Sequence, residues 1–235
     1  MPFDIATPAT PELEALFPTN VRIHDIPSYF HVNAYNHPDI PVMTSANPDE
    51  VKGMMWGLVP HFTRSVGEAL STRKKSLNAA AETLFSAELF RNYAPHNRCL
   101  ILVNGFFEWR KGEKSKTPYY IYSPDSKPFA LGGVYASWDH PDWARPYGCS
   151  IITTDADMLM AEINNTKFRM PLVLPQNKWS QWLDTSQRPE QIMELMLPFD
   201  GLMAHPISSI ISDREMDSNV PEVQQEIILP PDDWF

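Results

Sequence analysis

The chain has 235 residues, of which 43% are hydrophobic and 11% aromatic, which is enough for a substantial buried core. It contains no run of 18 or more apolar residues, and its N-terminal residues lack the basic and apolar regions of a secretory signal. We therefore expect a cytoplasmic protein that does not bind a membrane, and we expect it to be a monomer.

The formal net charge is −10, which taken alone argues against a nucleic-acid-binding protein. The charge is unevenly distributed, however, because residues 61–128 carry eleven Lys or Arg side chains and six Asp or Glu side chains. A positive middle region in an acidic chain can attract phosphate locally. For residues 111–116 the alternative is an ordinary solvated loop rich in lysine.

Two cysteines, Cys99 and Cys149, lie in apolar, strand-like segments. In a reducing compartment this pattern predicts buried free thiols rather than a disulfide. Two cysteines without clustered histidines do not form a zinc site, and the sequence has no glycine-rich phosphate loop. We expect neither a metal nor a cofactor.

Taken in chain order, the patterns predict short elements separated by turns, many of them at the 23 prolines. Helices are predicted at 11–17, 81–93, 157–164, 178–184 and 189–195. Strands are predicted at 29–32, 40–44, 54–59, 99–109, 118–122, 129–138, 150–154, 172–174 and 203–207. The segments 99–109, 118–122 and 129–138 are expected to form an antiparallel meander. This order favours an α+β fold in one domain, 1–235, with an acidic tail from about residue 213 that is partly ordered against the body.

Glu108 is the most informative chemical candidate, because it lies between Phe107 and Trp109 at the end of an apolar strand. Burial there would raise the pKa of the carboxyl and suit it to general acid–base catalysis. The alternative is an exposed strand-end glutamate that pairs with Arg110 or Lys111.

Other polar or aromatic candidates have strong structural alternatives. Asn78 precedes a predicted helix and is either its cap or, since it follows the basic residues 73–75, a ligand-facing side chain. Trp56 is more typical of a core than of a base-stacking platform. His205 lies beside a proline in a predicted strand, where histidines are usually structural.

Seven motifs in order resemble the SOS-response-associated peptidase family, also called abasic-site-processing proteins. The resemblance runs from the N-terminus to about residue 208. The motifs are Trp56-Gly57-Leu58-Val59-Pro60, Asn78-Ala79 with Glu82-Thr83, Asn97-Arg98-Cys99-Leu100-Ile101, Gly105-Phe106-Phe107-Glu108-Trp109, Ile151-Ile152-Thr153-Thr154-Asp155-Ala156, Arg169-Met170-Pro171 and His205-Pro206.

The resemblance implies a mostly antiparallel sheet, curled into a pseudo-barrel with flanking helices, that binds single-stranded DNA along a basic groove. Such proteins capture the ring-opened aldehyde of an abasic site through an N-terminal cysteine, which forms a thiazolidine after Met1 is removed. The resemblance makes Glu108 the acid–base group and Asn78 the residue that positions the N-terminus. The DNA-binding positions it implies are Trp56, Arg73, Lys74, Lys75, Ala80, Arg98, Arg169 and His205.

Three functional positions depart from the family pattern. Pro2 stands where the family has the cysteine, Ala80 where it has an arginine, and Asn164 where it has a histidine. Without a thiol at position 2 a thiazolidine cannot form. An amide cannot transfer a proton as imidazole does, and alanine cannot hold a phosphate as a guanidinium does.

Four functional interpretations follow. The chain processes abasic sites in altered form, for example through the secondary amine of an N-terminal Pro2 that attacks the aldehyde. Alternatively, it is a catalytically degenerate relative that only binds single-stranded DNA. A peptidase or other hydrolase that uses Glu108 and Asn78 is a third interpretation. A protein-interaction module, favoured by the net charge, is the fourth.

Overall fold

The described residues form two β-sheets and five short α-helices, together with several 3₁₀ turns. The computed structural model describes residues 3–17, 19–113, 115–213 and 215–229. The helices are α1 (Thr10–Leu16), α2 (Val66–Lys75), α3 (Met158–Ile163), α4 (Trp179–Leu183) and α5 (Pro189–Met193). The strands are β1 (Asp4–Thr7), β2 (Arg22–Ile23), β3 (Tyr29–Asn33), β4 (Asp39–Thr44), β5 (Asn47–Trp56), β6 (Asn78–Ala80), β7 (Arg98–Val103), β8 (Gly105–Lys111), β9 (Lys116–Tyr122), β10 (Phe129–Ser137), β11 (Tyr147–Asp155), β12 (Arg169–Pro171), β13 (Val173–Leu174) and β14 (Met203–Pro206).

The larger sheet has the order β12-β11-β10-β7-β4-β5-β2, and it curls until β5 also pairs with β11. That closure rests on two parallel residue pairs, Gly148 with Met55 and Cys149 with Trp56, so the ring is not a regular barrel. Gly57 follows the junction with a φ of 121°, a conformation that favours glycine. The expected α+β fold with a curled, mostly antiparallel sheet is confirmed.

The smaller sheet, ordered β14-β9-β8-β1-β3, packs its apolar side chains against the ring. Ile5 and Phe106 from this sheet share one fully buried cluster with Val42 and Ile101 from the larger sheet. Each such side chain contributes about 1.5–3 kcal/mol through burial. This shared core fixes β8, which carries Glu108, relative to the rest of the fold.

The predicted strand at 99–109 is two strands that belong to different sheets. The chain leaves the larger sheet after β7 and enters the smaller one at β8, and at the switch the Asn104 amide donates to the Ala6 carbonyl at 2.9 Å. Consequently β10 pairs with β7 and not with β9, so the predicted three-stranded meander is wrong. Strand β1, which sequence patterns missed, pairs with β8. This pairing places β8 in the smaller sheet and not beside β7 in the larger one.

The predicted helix at 81–93 is also wrong. Only Ala81–Thr83 is helical there, as one 3₁₀ turn, and hydrogen bonds of mixed spacing continue as turns to Ala94. The apolar side chains of Leu84, Phe90 and Tyr93 still reach the core, which explains the helix-like pattern. Patterns missed α2 because Ala69 is its one buried residue.

The tail contacts the body of the protein over the residues that the structure describes. Asn219 accepts a hydrogen bond from the Phe30 amide at 2.9 Å, and Gln224 donates to the Phe30 carbonyl at 2.8 Å. Val223 is fully buried. The tail therefore closes over the edge strand β3. Among the described helices, none is long and apolar enough to cross a membrane.

Candidate active site

Glu108 lies in the middle of β8, opposite Tyr119 of β9. Glu108 is buried, with 7% exposure, and the two residues that precede it, Phe106 and Phe107, are fully buried. Burial raises the pKa of this carboxyl above its ordinary value, and the nearby charge of Asp4 raises it further. The carboxyl is thus closer to the protonation balance that a general acid–base group needs at neutral pH.

Asn164 contacts Glu108 directly. It is buried at the C-terminal end of α3, and its Nδ2 donates to Glu108 Oε1 at 3.3 Å and to the Arg169 carbonyl at 2.9 Å. Both amide hydrogens are therefore used, which fixes the side chain. The structure thus brings together Glu108 and the position where the resemblance implies a histidine.

A cavity of about 220 Å³ opens beside this pair. Its wall combines two buried carboxyl groups and a buried amide with two aromatic residues and two exposed lysines. The lining residues are Phe3, Asp4, Glu108, Trp109, Lys116, Asn164, Thr166 and Lys167. The mixture of an acid, an amide and cations near an apolar wall suits a small, polar, anionic or carbonyl-bearing ligand.

The N-terminal part of the described chain arrives at the same cavity. Strand β1 pairs antiparallel with β8, with Ile5 opposite Phe106, and continuing that register by two residues sets Phe3 beside Glu108. Phe3 indeed lines the cavity. Pro2, the position of the family's cysteine, lies outside the described residues.

A chain of hydrogen bonds, buried at Asp4 and His31 and partly exposed at Ser218, links Asp4 to the tail. Nε2 of His31 donates to Asp4 Oδ1 at 2.9 Å, and its Nδ1 lies 2.7 Å from Ser218 Oγ. Asn33 also donates to Asp4 Oδ1, at 2.7 Å. The ring of His31 packs edge-on against Phe107, with centroids 5.2 Å apart. These contacts hold Asp4, and with it the entry of the chain into the cavity.

Asn78 lies in β6, where it pairs with Ile151 of β11, and it is not a helix cap. It is half-buried and lies outside the lining of the Glu108 cavity. Ala80 is on the same face of β6, two residues on, opposite Thr153. The structure therefore places both positions on a strand beside β11.

Arg169 is held by acids. Its guanidinium bonds both carboxylate oxygens of Glu82, at 2.6 and 3.0 Å, and Asp155 Oδ1 at 2.9 Å. It also donates to the Thr153 carbonyl at 2.6 Å. The hydrogen bond from Arg169 lowers the pKa of Glu82. Its contacts tie β12 to β11 and to the turn after β6, so its charge is largely neutralised within the protein.

Two of the expected DNA contacts are core residues. The ring of Trp56 is fully buried, and its Nε1 donates to the Leu77 carbonyl at 2.9 Å, so it cannot stack on a base. Arg98 is also fully buried, and it donates to the backbone carbonyls of Trp182, Ala94, Pro95 and Asp184. It thus joins α4 to the turn before β7 and cannot reach a phosphate.

The remaining basic candidates lie elsewhere on the surface. Lys74 and Lys75 are exposed in the last turn of α2, and Arg73 is half-buried with its guanidinium 5.4 Å from the Trp143 ring centroid. Burial lowers the pKa of Arg73. His205 lies in β14, where Nε2 donates to the Gln224 carbonyl at 2.8 Å, a structural role. Sequence reasoning missed Lys167, although its proximity to the position of Asn164 was a usable signal.

Both cysteines are buried free thiols, as expected. Burial raises the pKa of Cys99 and of Cys149, so neither is an activated nucleophile. No cluster of three metal-binding side chains occurs within the described ranges.

Solved structures with this fold are known. A crystal structure of a protein from Bacteroides thetaiotaomicron matches 96% of this chain and 100% of its own, with 33% identity and a TM-score of 0.84. One from Bordetella bronchiseptica matches 87% of this chain and 99% of its own with a TM-score of 0.75, and at 18% identity it supports the fold alone.

Named relatives share the sequence over most of its length. The abasic site processing protein YoqW of Bacillus subtilis is 30% identical over 186 residues, which is 77% of this chain and 79% of the relative. The abasic site processing protein HMCES of Xenopus tropicalis is 27% identical over 201 residues, 75% of this chain and 57% of the relative. The family model described as SOS response associated peptidase matches residues 9–214, and the chain belongs to that family.

Proposed function

We propose that this protein binds single-stranded DNA and processes abasic sites in the DNA-damage response, in the cytoplasm and as a monomer. The observation that carries the proposal is the cavity beside Glu108, where a buried carboxyl of raised pKa, a fixed amide and two lysines converge. The relatives that carry this function in their names support the same assignment.

The cavity suits the ring-opened deoxyribose of an abasic site. That sugar has an aldehyde, which needs proton transfer at its oxygen for any addition reaction, and Glu108 is the acid–base group proposed for it. Lys116, at the mouth of the cavity, supplies positive charge for a flanking phosphate. Lys74 and Lys75 are proposed to extend the binding surface, and Asn78 is proposed to position the N-terminal segment.

The altered positions support one second candidate, a protein that recognises abasic DNA without reacting with it. Asn164 cannot replace a histidine in proton transfer, and Ala80 removes a phosphate contact. A hydrolase has less support. Ser218, His31 and Asp4 form a hydrogen-bonded chain, but Ser218 lies on Nδ1 and Asp4 on Nε2, the reverse of the arrangement in serine hydrolases.

Fluorescence anisotropy with labelled oligonucleotides tests the proposal. Single-stranded DNA should bind with salt-dependent affinity, and a natural abasic site should bind about tenfold more tightly than an intact strand, equivalent to about 1.4 kcal/mol. A tetrahydrofuran analogue has the same gap but no aldehyde and should lose part of that preference. Equal affinity for abasic and intact strands would contradict both candidates, and no DNA binding would favour a protein-interaction role.

A further inference from the structure

Two exposed lysines lie at the mouth of the Glu108 cavity. Lys116 begins β9, and Lys167 lies in the turn between α3 and β12. They are the two lysines among the residues that line this cavity. In the described part of the chain, no carboxylate forms an ion pair with either of them. Both amines are therefore available to a ligand.

Lys167 is the lysine more closely tied to Glu108. Its amide donates to the Asn164 carbonyl at 3.3 Å, and the Phe168 amide donates to the same oxygen at 2.9 Å. The side chain of Asn164 in turn bonds Glu108. Lys167 thus belongs to a tight turn closed on the residue that touches the acid.

This turn is built into the fold rather than free in solvent. Asn165 bonds the backbone of Lys111 twice, accepting from its amide at 3.0 Å and donating to its carbonyl at 2.9 Å. Phe168 has a φ of 53°, a left-handed conformation that is unfavourable for an aromatic residue. The Phe168 carbonyl accepts from the Ala156 amide at 2.9 Å, which holds that conformation. Such strain is maintained only where surrounding contacts require it.

Lys116 is farther from the acid along the hairpin. It pairs with Lys111, three residues beyond the pair of Glu108 with Tyr119, a distance of about 10 Å along a strand. Its ammonium is therefore better placed for a flanking phosphate than for the reacting carbon.

On the basis of the proposed function, we propose that Lys167 is the amine that captures the aldehyde of the abasic site, as a Schiff base. In this chain Lys167 would form the covalent bond to DNA that an N-terminal cysteine forms in the family, because Pro2 has no thiol. Lys116 binds the adjacent phosphate and does not react.

The chemistry requires one amine and one acid. The unprotonated Nζ of Lys167 attacks the aldehyde carbon, the π electrons of the carbonyl move to its oxygen, and proton transfer gives a carbinolamine. Protonated Glu108 then donates its proton to the hydroxyl, which leaves as water while the nitrogen lone pair forms the C=N bond. The product is an iminium ion beside the Glu108 carboxylate. The capture consumes no oxidant or reductant, and hydrolysis reverses it.

Borohydride trapping with peptide mapping tests the assignment. The full-length protein is incubated with a natural abasic single-stranded oligonucleotide, reduced with borohydride, digested, and mapped by mass spectrometry. The reduced adduct is expected on Lys167. Lys167→Ala should lose it, and Lys167→Arg should also lose it while keeping the positive charge and the affinity measured by anisotropy. Lys116→Ala should keep the adduct and bind DNA more weakly with a smaller salt dependence.

The outcomes separate this inference from the proposed function. An adduct on the N-terminal peptide, or an adduct that persists in Lys167→Arg, would overturn the role of Lys167 and leave abasic-site processing intact. Selective binding of abasic DNA without any adduct would also overturn it and would favour the binding-only candidate. Failure to prefer abasic DNA would remove the proposed function itself. Circular dichroism of each variant confirms folding.

Discussion

The side-chain amide of Asn164 donates a hydrogen bond to Oε1 of Glu108, 3.3 Å away, in a site where both residues are buried. The second amide hydrogen is bound by the Arg169 carbonyl, so Asn164 is a fixed donor that cannot carry a proton to a substrate. Of these two residues, only Glu108 has a side chain that can gain and lose a proton near neutral pH.

Replacing Glu108 with glutamine should change the pH dependence of stability. Burial raises the folded-state pKa of Glu108 above its unfolded value, so the folded state binds more protons between the two values and loses stability as pH rises through that window. Glu108→Gln should therefore melt at a higher temperature than the parent near pH 7.5, with the difference shrinking near pH 4, about the ordinary pKa of glutamate. Thermal unfolding at both pH values measures this. A difference that is unchanged by pH would contradict it.

Restoring two family positions should restore the family's crosslink. In Pro2→Cys/Asn164→His, an N-terminal cysteine after Met1 removal and an imidazole beside Glu108 supply the thiol and the proton carrier. The double variant should form an adduct with abasic single-stranded DNA that survives denaturing electrophoresis without borohydride, and Asn164→His alone should not. No stable adduct in the double variant would mean that the cavity does not hold the abasic sugar as proposed.

An arginine at position 80 should strengthen DNA binding. Ala80 is half-buried on β6 beside β11, and a guanidinium there can reach a phosphate. One added contact should raise the magnitude of the salt slope for single-stranded DNA by about 0.7. Ser209→Arg adds the same charge at an exposed position far along the chain and serves as the control. If Ala80→Arg and Ser209→Arg changed the salt slope equally, the added net charge, and not a contact at position 80, would explain the stronger DNA binding.

Arg98 should matter for stability and not for DNA contact. Arg98→Leu removes a buried guanidinium that donates to four backbone carbonyls and leaves those oxygens without their partner. Because each buried unsatisfied group costs about 1–3 kcal/mol, a loss of roughly 3 kcal/mol in unfolding free energy is expected by urea denaturation. Arg91→Leu, at an exposed position, should change it little. A folded Arg98→Leu protein that lost DNA affinity but kept its unfolding free energy would contradict a purely structural role for Arg98.

The link between tail and cavity is also testable. Ser218→Ala removes the partner of His31 Nδ1 and should lower the unfolding free energy by about 1 kcal/mol. Amide hydrogen exchange should rise in residues 215–229 and in β3, because this bond helps to hold the tail on that strand. Ser209→Ala, an exposed serine, is the matched control. Unchanged exchange in β3 would indicate that Asn219 and Gln224 hold the tail without Ser218.

Sequence patterns located much of the fold and the centre of the site. The α+β class, the short helices near 10–16, 158–163, 179–183 and 189–193, and the carboxyl at Glu108 were all predictable from local periodicity and from an acid set among aromatics. The assignment of strands to sheets was not predictable from local patterns. The chain changes sheets at Asn104 because residues 105 and 106 pair with the distant strand β1. Local patterns likewise describe side-chain type and not burial.

The positions that the family resemblance implies for DNA binding show the same limit. Arg98 and Lys167 are both cations, yet Arg98 is fully buried among carbonyl oxygens and Lys167 is exposed beside the cavity. Only the long-range contacts of α4 with the turn before β7 decide the role of Arg98. The family resemblance implies that Arg169 binds DNA, but Glu82 and Asp155 pair with its guanidinium within the protein.

The rate of borohydride-trapped adduct formation on abasic single-stranded DNA, compared between the parent protein and Glu108→Gln, measures whether Glu108 acts on the abasic aldehyde. Glu88→Gln, an exposed glutamate with the same change in net charge, is the control. An adduct is expected on abasic but not on intact strands, and it should form about a hundredfold more slowly in Glu108→Gln and at the parent rate in Glu88→Gln. An equal rate in Glu108→Gln and the parent, or no adduct with the parent, would contradict the claim that the Glu108 cavity processes the abasic aldehyde.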